Sequence, residues 1–165
     1  MSDSLAGFPV LATARLRLKP LTAADAPELR AITDDAAIIA SIDFLRAPFT
    51  LADAEALIHG AGDGRDCFIG VRHGEALIGV VGAHLHADGR IEFGYWLGSA
   101  WHGRGFATEA AAAVIAALRG RFPGRRIVAE CHPANRASWR VLEKLGLRAT
   151  GAAGQRSGRR VLELP

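Results

Sequence analysis

Residues 15–21 (Arg-Leu-Arg-Leu-Lys-Pro-Leu) alternate polar and apolar positions, the two-residue period of a strand with one face buried. Thr22-Ala-Ala-Asp25 carries helix-capping chemistry, with Leu29 and Ile32 placed to face inward behind it. Thr50 caps a second helix on the spacing Leu51, Ala54, Leu57 and Ile58, and Gly60 and Gly62 stop it. Between these helices, residues 34–48 show no clear period and read as a loop or a short helix. The pattern then turns to β: residues 67–72, 76–84 and 91–97 are rich in Ile, Val, Phe and other aromatics, with turn residues between them. Asp88-Gly89 predicts a two-residue hairpin of type I′, which needs positive φ at both central positions. An alanine-rich helix follows over 108–119, then a strand over 126–131 and a helix from Asn135 that Gly146 ends. Short strands near Leu147 and Val161 close the chain.

The resulting order, β-α-α-β-β-β-α-β-α-β-β, describes a mixed α/β domain with antiparallel hairpins and one βαβ crossover. With 165 residues, half of them hydrophobic, the chain can bury a core as one domain over 1–165 without a metal or disulfide. No apolar run reaches the roughly 20 residues of a membrane helix, and Met1-Ser2-Asp3-Ser4 lacks the regions of a secretory signal. Cys67 and Cys131 stand far apart with no CxxC spacing, so buried, reduced thiols in a cytoplasmic protein are expected. The net charge is +3, and most of the basic excess lies from Arg119 to Arg160. That face could attract an anionic cofactor or nucleic acid. No basic run is interleaved with aromatics, so nucleic acid is not the expected partner, and a membrane is not expected either.

The chemistry concentrates in His102-Gly103-Arg104-Gly105-Phe106-Ala107, between a predicted strand and a predicted helix. Unpaired N–H groups and the positive end of the dipole at a helix start can cradle a phosphate. Glycines let the backbone come close to the anion. A dinucleotide fingerprint would need glycine where Thr108 stands, and GxxxxGK[ST] is absent. A GxG loop by itself is more often a plain turn than a phosphate site.

Wider context gives the loop its meaning. Trp101-His-Gly-Arg-Gly-Phe-Ala-Thr-Glu-Ala110 and Asn135-Arg-Ala-Ser138-Trp-Arg-Val-Leu-Glu-Lys144-Leu-Gly146-Leu, with Phe93-Gly-Tyr-Trp-Leu97 and Thr13-Ala-Arg-Leu-Arg-Leu18, resemble the GNAT superfamily of N-acetyltransferases. Within it the pattern is similar to the ribosomal-protein N-terminal acetyltransferase (RimJ/RimL-like) branch, over essentially the whole chain. The family's cofactor motif, Gln/Arg-x-x-Gly-x-Gly/Ala, is matched by His102-x-x-Gly105-x-Ala107 at two positions, His102 replacing the usual Gln or Arg.

The resemblance implies the acyl-CoA N-acyltransferase fold: one domain, a mostly antiparallel mixed sheet flanked by helices, and splayed central strands. It implies acetyl-CoA as acyl-donor substrate, a primary amine as acceptor (a peptide N-terminus or a small amine), no metal, and homodimers as common in the branch. Tyr95, Trp96 and Leu97 would offer backbone bonds to the pantetheine arm, with an N–H near Leu97 toward the acetyl carbonyl. The loop His102, Gly103, Arg104, Gly105, Phe106, Ala107 and Thr108 would hold the pyrophosphate, with Arg104, Arg140 and Lys144 reaching toward phosphates. Asn135 is an N-cap in any case, and the family reading adds a contact from its amide to the cofactor arm.

Many relatives place a tyrosine on this helix to protonate the leaving thiolate. The only tyrosine here is Tyr95, on the strand, which leaves Ser138 or a water it orders. Glu92 is the candidate base, acting through water, with a solvated hairpin carboxylate as the alternative. His84 and His86 share a strand face without a third ligand and do not make a metal site. Cys131 and His132 point to opposite sides and do not make a nucleophile pair. A non-catalytic acetyl-CoA-binding module stays open as the alternative to an enzyme. Acceptor choice falls to residues 34–48, 60–66 and 151–158, the last a glycine-rich segment expected to be mobile.

Overall fold

Alternation becomes strand wherever it is regular. In the computed structural model, which describes residues 3–165, β1 (Leu11–Ala12) and β2 (Arg17–Pro20) are followed by α1 (Ala26–Thr33), α2 (Ala36–Ser41) and α3 (Leu51–Gly60). Then come β3 (Asp66–His73), β4 (Ala76–Leu85), β5 (Ile91–Leu97), α4 (Phe106–Arg121), β6 (Ile127–Cys131), α5 (Arg136–Lys144), β7 (Arg148–Ala153) and β8 (Arg160–Glu163). One sheet of eight strands runs β1-β2-β3-β4-β5-β6-β8-β7. Only β5 and β6 are parallel, joined by the crossover through α4. This is the expected mixed, mostly antiparallel architecture. The two-residue β1 is an addition that no periodicity announced.

Local chemistry explains the helix ends. Thr50 and Asp53 form a reciprocal capping box, with the Asp53 amide on Thr50 Oγ1 at 3.1 Å and the Thr50 amide on Asp53 Oδ2 at 2.8 Å. After α5, the Leu147 amide reaches the Leu142 carbonyl and the Gly146 amide reaches Glu143, at 3.0 and 2.9 Å. That is a Schellman ending, and it needs Gly146 at φ +94°. Helix α4 starts at Phe106, two residues before the expected Thr108, because Gly105 serves as its N-cap at φ +79°.

The β4–β5 turn differs from the expected type I′ hairpin. His86 and Arg90 close a three-residue loop, the His86 amide on the Arg90 carbonyl at 3.0 Å, and only Gly89 has positive φ, at +84°. A Cβ-bearing aspartate avoids the left-handed region when one glycine suffices for the longer loop.

Strand alternation divides the packing into two faces. Ile91, Phe93 and Leu97 of β5 join the large core under α4 and α5. Trp96 joins a second core with Leu29, Ile38 and Phe49 beneath α1–α3. There its buried indole Nε1 donates to Thr33 Oγ1 at 3.0 Å. No helix among the described residues is long and apolar enough to cross a membrane. Both cysteines are buried and unpaired.

Candidate active site

The splay between β5 and β6 makes the site. Their pairing is limited to Ile91–Ile127 and Glu92–Val128, after which the strands diverge. The Gly98 amide on Ile78 and the His86 amide on Arg90 bracket the β4–β5 ladder, so Glu92, Gly94 and Trp96 direct their backbone groups to β4. Tyr95 and Leu97 therefore present theirs to the gap. The Leu97 carbonyl is already taken by His102 Nε2 at 2.9 Å. What remains free there is the Tyr95 N–H and C=O and the Leu97 N–H. Trp96, expected to bond the pantetheine arm through its backbone, does not face the gap: ladder parity turns it toward Val80.

A continuous cleft of about 530 Å³ passes through this splay and is lined from both faces of the sheet. At one end lie His102, Gly103, Gly105, Phe106, Ala107 and Thr108. Gly103 and Gly105 both have positive φ, +73° and +79°, and Gly105 gives α4 no side-chain cap. The first-turn amides of Phe106, Ala107 and Thr108 thus have no intrahelical acceptor and border the cleft. Arg140 and Lys144 border it from α5 and pair with no carboxylate among the described residues. This chemistry suits a diphosphate.

Arg104, the expected phosphate contact, does not line the cleft. Its guanidinium stacks on Trp101 and Phe106, 5.2 and 5.3 Å from the ring centroids. A cation over two aromatic faces has a better-defined partner than solvent. The brace beneath the loop escaped sequence reading. Arg15 lies 4.3 Å over the Phe106 ring, donates to the Arg104 carbonyl at 3.0 Å and pairs with Glu109 at 2.7 Å. Glu109 also accepts from Thr13 Oγ1 at 2.6 Å. Although partial burial opposes ionisation, Thr13 and Arg15 hold its carboxyl below the usual range.

Asn135 Oδ1 caps α5 by accepting from the Ser138 amide at 3.2 Å, which leaves its NH₂ free at the cleft. Ser138 Oγ lies 3.0 Å from Tyr95 Oη. Burial pushes the tyrosine up to about 12, against the opposing hydrogen bond from Ser138, so the phenol stays protonated in neutral solution. Burial likewise pushes the neighbouring Cys131 thiol up, which leaves it a poor nucleophile.

On the opposite face, Glu92 is buried and not solvated beside the hairpin. Its carboxylate takes Arg156 Nη2 on one oxygen and His86 Nε2, at 2.9 Å, on the other. Arg156 Nε also donates to Glu130 at 3.0 Å, and that carboxylate is only 2% exposed. Burial raises the pKa of Glu130, but the amides of Gln155 and Arg156 and the Arg156 guanidinium outweigh it and hold the carboxyl below its ordinary value. The glycine-rich segment expected to be mobile is therefore fastened to the sheet, since a buried carboxylate needs the donors it supplies. His84 is taken by Asp66, at 2.7 Å, and the two histidines share no ligand. Neither Arg156 nor Glu130 was legible as a site residue, because their meeting depends on the order β6-β8-β7.

The profile of the Acetyltransferase (GNAT) domain family matches residues 15–148. An uncharacterized N-acetyltransferase, YnaD of Bacillus subtilis (strain 168), is 32% identical over 106 residues, 62% of this chain and 62% of that protein. A GNAT-family acetyltransferase from Bacillus anthracis has a similar fold, with TM-score 0.81 and 21% identity, covering 94% of this chain and 98% of the other. The ribosomal L7/L12 α-N-protein acetyltransferase RimL, solved with coenzyme A, superposes with TM-score 0.84 at 18% identity, covering 94% and 97%. With the profile spanning most of its length and the splayed-strand cleft in place, this chain belongs to the GNAT family of acetyltransferases.

Proposed function

We propose that the protein transfers the acetyl group of acetyl-CoA directly to a primary amine bound on the opposite face of the splayed sheet. The observation that carries this reading is the free Leu97 N–H and Tyr95 backbone beside uncapped α4 amides in one continuous cleft. In that arrangement the α4 amides, Arg140 and Lys144 hold the diphosphate, and the Tyr95 main chain and Asn135 amide align the pantetheine arm. The Leu97 N–H donates to the acyl oxygen as negative charge gathers on it, an effect worth on the order of 3 kcal/mol where one such donor has been removed elsewhere.

Ser138, backed by the protonated Tyr95, supplies a proton to the departing thiolate. Glu92 accepts the amine's proton through water: each of its oxygens has one partner and retains a second lone pair. The unpaired thiols support a reducing, cytoplasmic setting. A binding-only module is the weaker reading, because the cleft sets two protonated hydroxyls, Tyr95 and Ser138, beside the free backbone donors as well as a place for the cofactor. Thiol release from acetyl-CoA across a panel of amines tests the proposal. Amine-dependent release is expected, whereas tight acetyl-CoA binding with no release from any amine would make the protein a sensor.

A further inference from the structure

The acceptor face has a bare floor walled by rings. Gly82 of β4 and Gly94 of β5 are directly paired, and both open on the face away from α4 and α5. A Cβ placed on Gly82 would meet His84 at 3.0 Å and the Phe68 ring at 3.3 Å, so that half of the floor is already roofed. A Cβ on Gly94 would meet nothing within 4 Å, and no positive φ requires glycine there. The empty place above Gly94 is thus a slot in the cleft, bounded along the same strand by Glu92 on one side and Trp96 on the other.

Rings dominate the wall. Phe44, Phe68 and Trp96 enclose a triangle with centroids 6.2, 6.0 and 6.4 Å apart, and His84 stands edge-on to Phe68 at 5.5 Å. Phe44 remains 48% exposed although large and apolar, which leaves its ring without a full complement of neighbours. The far side is polar and leans acidic, with Glu92, Glu130 and Asp43 set against Arg156 and Arg159. Both arginines are engaged by carboxylates, so no cation is left to receive a carboxylate on the acceptor.

From these walls we infer that the acceptor is a small primary amine carrying one aromatic ring two or three bonds from its nitrogen, with the ring over Gly94. The inference rests on the acetyl-transfer reading above. A ring gains edge-to-face contacts with the wall that an alkyl chain lacks. Its short tether follows from position: the Leu97 N–H that meets the acyl oxygen is three residues from Gly94, about 10 Å along the strand, a span already largely filled by the carbonyl, its hydrogen bond and the attacking nitrogen. An α-carboxylate would face the acidic side, so a free aromatic amino acid is disfavoured.

Thiol-release kinetics on the full chain test this with 2-phenylethylamine, n-hexylamine, putrescine, free phenylalanine and a peptide with an N-terminal serine. The kcat/KM for 2-phenylethylamine is expected to exceed the others by roughly tenfold or more. Gly94→Leu should lower that value by about 100-fold, while the calorimetric Kd for acetyl-CoA and the melting temperature stay at wild-type values. Phe44→Ala, at a half-exposed position, should raise KM for 2-phenylethylamine by a larger factor than KM for n-hexylamine, which loses only apolar contact. Equal rates across the panel, preference for the serine peptide, or indifference to Gly94→Leu would overturn the ring assignment and leave acetyl transfer standing. Absence of acetyl-CoA binding and of release with every amine would overturn both.

Discussion

Tyr95 Oη lies 3.0 Å from Ser138 Oγ, which ties the splayed strand β5 to the first turn of α5 within the cleft. In the proposed function this pair supplies the proton for the leaving thiolate, Tyr95 reaching Ser138 from the sheet. Ser138→Ala is expected to lower kcat by about 100-fold with little change in acetyl-CoA affinity. Tyr95→Phe should lower it less, and the double variant should resemble Ser138→Ala alone, because the two hydroxyls act in series. With the phenol pushed up to about 12, no alkaline loss of rate should be assigned to Tyr95 until pH nears that value. Stopped-flow and steady-state rates over pH decide it, and additive losses would separate the two groups.

Gly105 combines a left-handed conformation with the start of α4. Gly105→Ala should cost about 1–2 kcal/mol of stability from the positive φ. Its acetyl-CoA affinity should fall further, because the displaced loop misaligns three amides at once. Gly120→Ala in the same helix has open space around it and ordinary φ, so it should stabilise the fold by about 0.5–1 kcal/mol and leave affinity alone. Paired denaturation and calorimetry would show whether the loop's effect is on binding or merely on folding.

Arg156 joins Glu92 to Glu130 across β5, β6 and the β7–β8 hairpin. Removing it by Arg156→Ala leaves buried carboxylates without their cation, a loss on the order of 3 kcal/mol in urea unfolding. Adding Glu92→Gln should recover part of that stability and none of the activity. A surface-like loss below about 1 kcal/mol would mean that the three groups are solvated in solution.

Arg140 and Lys144 have no carboxylate partner among the described residues and border the cleft, where the proposed function sets them on the diphosphate. Replacing both with alanine should raise the acetyl-CoA Kd by roughly tenfold at low salt, and the remaining affinity should depend less on salt. An unchanged salt dependence would remove them from the phosphate site.

Stability should fall on both sides of neutrality, for opposite reasons. Burial pushes Cys67 from 9.0 up to about 11 and Tyr95 from 10.0 up to about 12. Folding favours their protonated forms, so this contribution is complete below pH 9 and is lost as pH climbs from 9 toward 12. Glu130 and Glu109 lie below their ordinary 4.5, so their contribution is present above that value and disappears as pH falls beneath it. Thermal melts from pH 3 to pH 11 check both limbs, with Cys67→Ala blunting the alkaline one.

Local patterns carried much of the fold and one half of the site. Alternation announced β2, apolar runs between turn residues announced β3 through β5, Thr50 and Gly146 marked helix ends, and Gly103 and Gly105 announced an open helix start, because each depends on neighbours within a few residues. Tertiary structure decided the rest. Ladder parity, which no residue displays by itself, turned Trp96 away from the gap and left the Tyr95 and Leu97 amides facing it. Stacking on Trp101 and Phe106 holds Arg104 outside the cleft lining. Pairing of β8 between β6 and β7 brought Arg156, 64 residues along the chain, onto Glu92. A sequence shows what each segment can bury or cap, whereas the sheet order settles which distant side chains meet.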